Sequence, residues 1–498
     1  MSQSVSADSQ TDRAAVWVLL LISLIGLILR LYCLNRHGFW LDEVYSANFS
    51  SGTIRHVLSN STGNPPSYYL FLNLWTSLAG KTEVSYRLPS VLFGTTAIFI
   101  TGLIGSRFYD RATGILAALL MAIQTFPLHY SREARVYTIF LCFSLGSWWS
   151  LLRAVVTDRK RPWFAYAVFL TLSCYTHNYW IFNAIAQLLY CLVHHRKRST
   201  LIAWSCAFAA TLLLYVPWTI VLEHQAVGLE KSGFWIPRPA AGQLLNDFRT
   251  YSGYLIFPLI VWGFVSLAVF GGIQNQRHQK PLSLNGDPLP FWLLGPIAIP
   301  FALSFFVTPF YFIRYTLAAV PALYLLIACG VCHIRPRLVR GVVIGVLLIS
   351  SGISLQRYYT ATADSVRGWE SQYHLYPIQD WRDFVPKLVD QLQPQEWVAI
   401  WPPYYTSAAN YYLAKSGNRK QNRFVSIQFP EKLTRHDAQV MATRMKAGHT
   451  RFWLLLVNPL PEDRSASLQH LLEYNQGKEV SFATPPSYFA SIYLFDGR

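Results

Sequence analysis

The sequence predicts an α-helical, polytopic membrane protein with a soluble α/β domain at its C-terminus. Apolar residues make up 52% of the 498 positions and charged residues 13%, which is about half the charged fraction of a typical soluble domain. The mean hydropathy of +0.26 is low for a chain made only of membrane helices, so a polar part is expected as well. This composition excludes a disordered chain, a coiled coil and a collagen-like fibre.

The distribution of charge divides the chain into two parts. Residues 1–356 carry +14 of the total net charge of +17, and residues 357–498 carry only +3. The positive charge therefore belongs to the part that holds the apolar runs, which argues against a nucleic-acid-binding domain. We predict a membrane domain over 1–356, with a first outer loop at 36–88, and an extracytoplasmic domain over 357–498.

Eleven apolar runs in the first part approach the length of about 20 residues that a membrane-spanning helix needs. The segment 163–193 is compatible with two spans and with a helical hairpin buried in the bundle, and the sequence leaves both open. The eleven runs are 14–34, 89–106, 113–128, 137–156, 163–176, 179–193, 201–221, 254–273, 289–308, 315–332 and 341–356.

Short basic clusters determine the predicted orientation. Lys and Arg collect in cytoplasmic loops, and five such clusters, among them 159–161 and 196–198, fall on alternate loops. Placing all five in the cytoplasm puts the N-terminus inside and, with an odd number of spans, the C-terminal part outside. Arg30 interrupts the first run and no small-residue cleavage site follows it, so we expect an uncleaved span rather than a signal peptide.

The C-terminal part shows alternating strand and helix patterns. This alternation favours a parallel or mixed sheet with helices on its faces. The strand patterns lie at 396–401, 423–428, 451–457 and 489–495, and the helical patterns at 380–392, 404–414, 434–446 and 464–475.

Ionisable groups close to a membrane are costly, so those retained there are functional candidates. Asp42 and Glu43 form an acidic pair eight residues after the first run and directly after Phe39 and Trp40, which would anchor the chain at the interface. A solvated turn is the alternative for this pair. The predicted outer side of residues 1–356 has seven carboxylates, Asp42, Glu43, Glu83, Glu133, Glu223, Glu230 and Asp247.

Several outer segments carry arginines and aromatic rings beside these acids. Planar guanidinium groups bind phosphate oxygens in pairs, aromatic faces suit the C–H surface of a sugar, and carboxylates suit its hydroxyls. A sugar linked to a lipid phosphate carries all three of these groups, namely phosphate oxygens, a C–H surface and hydroxyls. Each side chain also has a plain alternative, such as a self-neutralising Arg–Glu cluster, a satisfied histidine, or snorkelling of an arginine. The candidate contacts are Tyr69, Arg87, Arg132, Arg135, His177, Tyr179, Arg314 and Tyr315.

Five motifs occur in an order that resembles the membrane glycosyltransferases of the GT-C superfamily related to protein O-mannosyltransferases and the lipid A aminoarabinose transferase. The motifs are FWLDEVYS, NPPSYYLFLNLW, RLPSVLFG, YSREARVY and RYTLAAVP, and they cover about residues 36 to 330. The tail, with DWRDFVPKLVD and EWVAIWPPYY, looks like the outer domain of bacterial members. The resemblance implies a GT-C fold in a bacterial inner membrane.

The resemblance also implies a reaction. It predicts transfer of a sugar from a polyprenyl-phosphate donor to a lipid, glycan or protein acceptor. By this resemblance Asp42 is the expected base, Glu43 is its partner, and Glu133 is a second acid where many relatives carry Asp. Arg135 and Arg314 are expected to contact the donor phosphate. Asp42 as a ligand of a divalent ion, Mg²⁺ or Mn²⁺, is the competing role.

Two other classes of function stay open at this point. A flippase or transporter of a lipid-linked sugar would need ionisable residues or broken helices in the middle of the membrane, where the sequence shows only Arg30 and Arg153, both near the ends of apolar runs. A non-catalytic membrane assembly protein would tolerate replacement of Asp42, Glu133 and Arg135.

Overall fold

The computed structural model describes most of the chain at the level of backbone and side chains. The described residues are 2–60, 65–157, 159–232, 236–240, 242–253, 286–360, 380–417, 419–427, 451–457, 478–479 and 490–496. The predicted span 254–273 and the predicted helices 434–446 and 464–475 lie outside them.

The chain forms two compact units. The first comprises Met1–Leu34 and Phe49–Thr360, and the second comprises Asn35–Asn48 and Ala361–Arg498. Residues 35–48, which the sequence analysis groups with the membrane part, therefore make their contacts with the C-terminal part. The assignment of residues 1–356 as the membrane domain and of residues 357–498 as an extracytoplasmic domain stays a prediction.

The first unit is built from helices, as the apolar runs predict. Ten of the eleven runs fall on helices of the described residues, and the turn at 175–179 divides the ambiguous segment 163–193 into two helices. Three helices of this unit lie where the sequence predicts outer loops or only an interfacial segment, namely Ile54–Asn60, Ser67–Ala79 and Gln243–Tyr251. The short helix Thr125–Tyr130 covers the end of the predicted run 113–128. The others are Ser2–Leu31, Glu83–Phe108, Arg111–Ile123, Tyr137–Thr157, Lys160–Cys174, Trp180–His194, Arg198–Ser232, Leu289–Leu303, a 3₁₀ helix Ile313–Ala319, Val320–Cys332 and Arg337–Thr360.

Six of the described helices are long and apolar enough to cross a membrane. Their surfaces carry large apolar side chains that the protein leaves uncovered, for example Trp17, Leu213 and Leu338. Apolar side chains exposed all along a helix fit contact with lipid. The protein is therefore an integral membrane protein. The six helices are Arg13–Leu31, Glu83–Phe108, Tyr137–Thr157, Arg198–Thr219, Ile313–Cys332 and Arg337–Thr360.

A break after Ile123 separates the helix Arg111–Ile123 from the short helix Thr125–Tyr130. The last carbonyls of a helix have no partner within the helix. Here the fully buried guanidinium of Arg30 donates to the carbonyls of Met121 at 3.1 Å and Ala122 at 3.2 Å, and to its own helix at Gly26. The residue that interrupts the first apolar run thus terminates a neighbouring helix.

The second unit contains a five-stranded mixed sheet in the order β2-β1-β3-β5-β4, as the strand–helix alternation predicts. Strand β1 pairs in parallel with β2 and β3, and β5 runs antiparallel to β3 and β4. The two-residue strand β4 was not predicted. The strands are β1 Trp397–Trp401, β2 Arg423–Ser426, β3 Arg451–Val457, β4 Lys478–Glu479 and β5 Ala490–Asp496.

Among the described residues of this unit, three α-helices accompany the sheet, namely Leu41–Phe49, Trp381–Gln391 and Thr406–Lys415. In Trp381–Gln391 the residues Trp381, Phe384, Val385 and Leu388 are buried. Their spacing of three and four residues is that of a single helix face. The helix therefore buries one apolar face, and the last two helices confirm the patterns predicted at 380–392 and 404–414.

Replacing Arg30 with Met is expected to destabilise the membrane unit. The change keeps an unbranched apolar stem but leaves the carbonyls of Met121 and Ala122 without their donor, and each unsatisfied buried group costs about 1–3 kcal/mol. The thermal unfolding midpoint of the purified protein in detergent should fall by several degrees. Arg153→Met is the matched control because Arg153 is exposed and lies over the Trp149 ring; an equal fall in both variants would contradict the role of Arg30.

Candidate active site

The segment after the helix break carries three of the predicted site residues, and small side chains fix its path. Ser131 Oγ donates to the carbonyl of Pro127 at 2.5 Å. A Cβ at Gly94 would lie only 2.2 Å from Ser131 Oγ, so the close approach of this segment requires a glycine there. Ser90 Oγ donates to the carbonyl of Arg135 at 3.1 Å. The backbone of Arg135 is therefore held at a defined position.

Two buried arginines share one aromatic ring. The guanidinium carbons of Arg135 and Arg314 lie 5.7 Å and 5.9 Å from the centroid of the Tyr137 ring. Arg314 also lies over the rings of Phe312 and Tyr315. Both arginines are 8% exposed. Their cationic charge is thus concentrated in an aromatic environment, where a cation interacts more strongly than in water.

His177 lies beside this pair as a neutral side chain. Burial is the main cause that lowers the pKa of His177, and the charges of Arg135 and Arg314 lower it further, to about 3. The backbone N–H of Tyr179 donates to Nδ1 at 3.1 Å, so in the neutral ring the proton is on Nε2. The ring lies 4.9 Å from that of Tyr315. His177 therefore offers an N–H donor without adding a third positive charge.

Glu133 belongs to a second polar group. Its Oε1 lies 3.1 Å from Nε2 of His129, and Nδ1 of the same histidine lies 3.3 Å from the hydroxyl of Tyr358. The other oxygen, Oε2, is buried and has no hydrogen-bond partner within the described ranges. A buried carboxylate oxygen without a donor is costly, so this atom is a candidate acceptor for a hydroxyl proton of a substrate.

Arg132 makes contacts outside the Arg135–Arg314 pair. Its guanidinium lies over the rings of Tyr358 and Tyr359, at 5.4 Å and 5.0 Å, and donates to the carbonyl of Tyr32 at 2.8 Å. It therefore joins the segment after the break to two other helices.

Arg87 and Tyr69 are likewise engaged elsewhere. Arg87 donates to the carbonyl of Leu34 at 2.9 Å, and the buried ring of Tyr69 packs edge-on against Phe49 and Tyr68. The structure thus brings Arg135, Arg314, His177, Tyr179 and Tyr315 together. Substrate contacts by Tyr69, Arg87 and Arg132 stay predictions.

The acidic pair lies in the second unit, in the first turn of the helix Leu41–Phe49. Glu43 is 1% exposed, and its Oε2 accepts a hydrogen bond from the backbone N–H of Trp40 at 3.4 Å. Asp42 is half-buried. The two carboxylates therefore differ: Glu43 caps its own helix, and Asp42 is the more accessible acid.

No group of three or more His, Cys, Asp or Glu side chains in the described part of the chain is arranged to hold a metal ion. Within the acidic pair, Oε2 of Glu43 accepts the hydrogen bond from the backbone N–H of Trp40. Binding of a divalent ion by Asp42 stays a prediction.

Asp247 was counted among the outer carboxylates, but no role was predicted for it. It is fully buried on the helix Gln243–Tyr251, and its Oδ2 accepts a hydrogen bond from the hydroxyl of Tyr311 at 2.6 Å. Burial raises its pKa to about 7, against the opposing effect of Tyr311. Tyr311 is three residues before Arg314, so Asp247 anchors the segment that carries this arginine. The sequence gives no sign of the pairing, because the partners are 64 residues apart.

Comparisons with known proteins agree with this architecture. Residues 63–221 match the model of the family described as dolichyl-phosphate-mannose-protein mannosyltransferase. The undecaprenyl phosphate-alpha-4-amino-4-deoxy-L-arabinose arabinosyl transferase 1 of Pseudomonas fluorescens is 22% identical over 308 residues, which are 58% of this chain and 55% of that protein. The chain thus aligns with little more than half the length of this relative.

Solved structures are similar over the whole chain. The crystal structure of ArnT from Cupriavidus metallidurans in the apo state has a TM-score of 0.58 at 14% identity and covers 99% of both chains. The same protein bound to undecaprenyl phosphate has a TM-score of 0.54 at 12% identity, with 98% of both chains covered. The chain has a GT-C fold. The predicted resemblance to the GT-C glycosyltransferases is confirmed.

The raised pKa of Asp247 predicts how the stability of the protein depends on pH. Between about pH 4 and pH 7 the folded protein binds a proton at Asp247 that the unfolded chain releases, so the free energy of unfolding contributed by this group falls as the pH rises. Asp247→Asn keeps an oxygen that can accept from Tyr311 but does not ionise. Its thermal unfolding midpoint should decline less than that of the wild type from pH 4 to pH 7. The corresponding difference in the free energy of unfolding is a few kcal/mol at most.

Two further variants test this assignment. Asp383→Asn changes an exposed carboxylate paired with Lys387 and should keep the wild-type slope. Tyr311→Phe removes the hydrogen bond that lowers the pKa of Asp247, so its decline should extend to higher pH. An unchanged slope in Asp247→Asn would exclude this carboxyl as the titrating group.

Proposed function

We propose that the protein is a membrane glycosyltransferase that moves a sugar from a polyprenyl-phosphate donor to a lipid, glycan or protein acceptor. The observation that carries this proposal is the buried pair Arg135 and Arg314, whose charges act on one neutral histidine among aromatic rings. Two guanidinium groups and an imidazole N–H suit a phosphate group. The Tyr137 and Tyr315 rings suit the apolar face of a sugar.

The comparisons support the same class of donor. The relative from Pseudomonas fluorescens is named for an undecaprenyl phosphate-linked aminoarabinose, and one structure of Cupriavidus metallidurans ArnT contains undecaprenyl phosphate. We extend to this chain only the shared chemistry, a sugar joined to a lipid through phosphate.

The proposed reaction is a single displacement. Asp42 accepts the proton of the acceptor hydroxyl while the hydroxyl oxygen attacks the anomeric carbon, and the bond from that carbon to the phosphate oxygen breaks. The lipid phosphate leaves with the bonding electrons, so its charge grows, and Arg135 and Arg314 stabilise it. Attack from the side opposite the leaving group inverts the anomeric centre. Glu133 is a second acid that accepts a hydrogen bond from a sugar or acceptor hydroxyl.

The alternative functions have less support. Arg30, one of the two charges expected within the membrane, binds helix carbonyls through both terminal nitrogens of its guanidinium and so has a structural role. A non-catalytic assembly protein gives no reason to bury Arg135 and Arg314 together. The experiment below distinguishes these classes, because only an enzyme releases lipid phosphate.

Asp42→Asn is expected to abolish sugar transfer. General-base catalysis contributes about 100- to 10,000-fold, so release of lipid phosphate should fall at least about 100-fold while the protein still folds and inserts. The measurement incubates purified protein with a panel of polyprenyl-phosphate sugars and acceptors and quantifies the lipid phosphate released. Turnover that survives in Asp42→Asn, or no release from any donor by the wild type, would overturn the proposal.

The same assay tests the two arginines. Arg135→Gln and Arg314→Gln should weaken donor binding and slow release, because a hydrogen bond to a charged group contributes about 1.5–3 kcal/mol, or about 10- to 100-fold in affinity. Arg153→Gln, in an exposed position over Trp149, is the control and should behave as wild type.

We further propose that the N-terminus lies in the cytoplasm and the C-terminal part outside, in the inner membrane of a bacterium. The alternation of basic clusters along the loops supports this orientation. Alkaline phosphatase fused after Arg498 should be active and a fluorescent protein fused there should be dark. The opposite pattern would place Asp42 on the wrong side of the membrane.

A further inference from the structure

The residues just before Asp42 are bound by side chains from the far end of the chain. Arg382 lies in the first turn of the helix Trp381–Gln391. It donates to Asn35 twice, at the side-chain oxygen and at the carbonyl, both at 2.9 Å. The same guanidinium donates to the carbonyl of Arg36 at 3.1 Å. A planar guanidinium with several donors fixes direction as well as distance.

Asp380 binds the next two residues. Its Oδ1 accepts a hydrogen bond from the backbone N–H of Gly38 at 3.1 Å, and its Oδ2 lies 3.6 Å from Nδ1 of His37. Burial alone would raise the pKa of this carboxyl, but the contacts with His37 and Gly38 outweigh burial and hold the pKa below its ordinary value. Asp380 is therefore anionic at neutral pH and also caps its own helix at Asp383.

Tyr412 completes the set. Its hydroxyl accepts a hydrogen bond from the backbone N–H of Phe39 at 2.5 Å. The ring of Phe39 is fully buried and lies 5.8 Å from that of Tyr411. Both groups come from the helix Thr406–Lys415, so a second element of the C-terminal domain holds the same segment.

The fit at Gly38 leaves no room for a side chain. A Cβ there would lie 2.6 Å from Cβ of Arg382 and 2.9 Å from Oδ1 of Asp380. Such distances are well below van der Waals contact, so the segment packs directly against the side chains of Arg382 and Asp380. This closeness indicates a built contact rather than a chance approach of two surface loops.

We propose that Asp380, Arg382 and Tyr412 form a clamp by which the C-terminal domain fixes the direction of the Asp42 helix for catalysis. The clamp binds residues 35–39, which lead directly into the helix Leu41–Phe49 with Asp42 in its first turn. The three clamp residues are positioning residues that act through Asp42. This inference rests on the proposed function, since it assigns the C-terminal domain a part in the same reaction.

The test combines two measurements on the full-length protein. Tyr412→Phe removes one hydroxyl and keeps the ring, and Arg382→Lys keeps the charge but loses the planar fork. Hydrogen exchange of the peptide that contains Gly38 and Phe39 should become faster in Tyr412→Phe. A small displacement of a catalytic group can cost about 100-fold, so the kcat for lipid phosphate release should fall about 10- to 100-fold while the KM for the donor changes less than about twofold.

Arg423→Lys is the matched control. Arg423 lies on β2 with its guanidinium over the Trp397 ring, and both exchange and kcat should stay as in the wild type. Unchanged exchange in both clamp variants would show that the contacts do not hold the segment, and faster exchange with an unchanged kcat would show that they do not serve catalysis. If the wild type transfers no sugar, the proposed function fails, and the exchange measurement still decides whether the clamp holds residues 35–39.

Discussion

A cation buried among apolar helices supports the membrane unit. Arg30 is fully buried, and its guanidinium donates hydrogen bonds to carbonyls at the end of the helix Arg111–Ile123. In a hydrocarbon environment no water can satisfy such carbonyls, so a helix can end there only where the protein supplies donors. Arg30 is that donor. Because the helix ends at this point, the chain can form the irregular segment 131–136, on which Glu133 and Arg135 lie.

The candidate site follows from this break. In an unbroken helix, successive residues are rotated by about 100° around the helix axis. Arg132, Glu133 and Arg135 would then point in different directions from the surface of one helix. The turn instead lets each side chain reach a different partner: Arg132 the rings of Tyr358 and Tyr359, Glu133 the imidazole of His129, and Arg135 the ring of Tyr137. The second arginine of the candidate site, Arg314, lies on a different segment. This segment is anchored by the hydrogen bond from Tyr311 to Asp247.

Periodicity and composition predicted the elements of the fold, whereas the partners of the polar residues could not be predicted. The apolar runs predicted the helices, since burial in lipid is read from composition alone. Arg30 looked like an interruption near a span end, because the carbonyls it binds are about 90 residues away. The clamp on residues 35–39 could not be predicted for the same reason, because its partners are more than 340 residues away along the chain. Arg135, Arg314 and His177 could be predicted as candidates from the residue types of their own segments, and the structure brings them together. No role could be predicted for Asp247, because its contact with Tyr311 is not visible in either segment alone.

In the proposed reaction the neutral state of His177 matters as much as the two arginines. The donor is a phosphodiester with one negative charge, and the leaving lipid phosphate is a monoester whose charge approaches −2 near neutral pH. Two guanidinium groups match the charge of the product and of the late transition state better than that of the donor, so they stabilise the transition state more than the ground state. A protonated imidazole would add a third cation and hold the product phosphate more tightly, which would slow its release. Burial is the main reason why His177 stays uncharged, and the charges of Arg135 and Arg314, which we propose bind the phosphate, lower its pKa further.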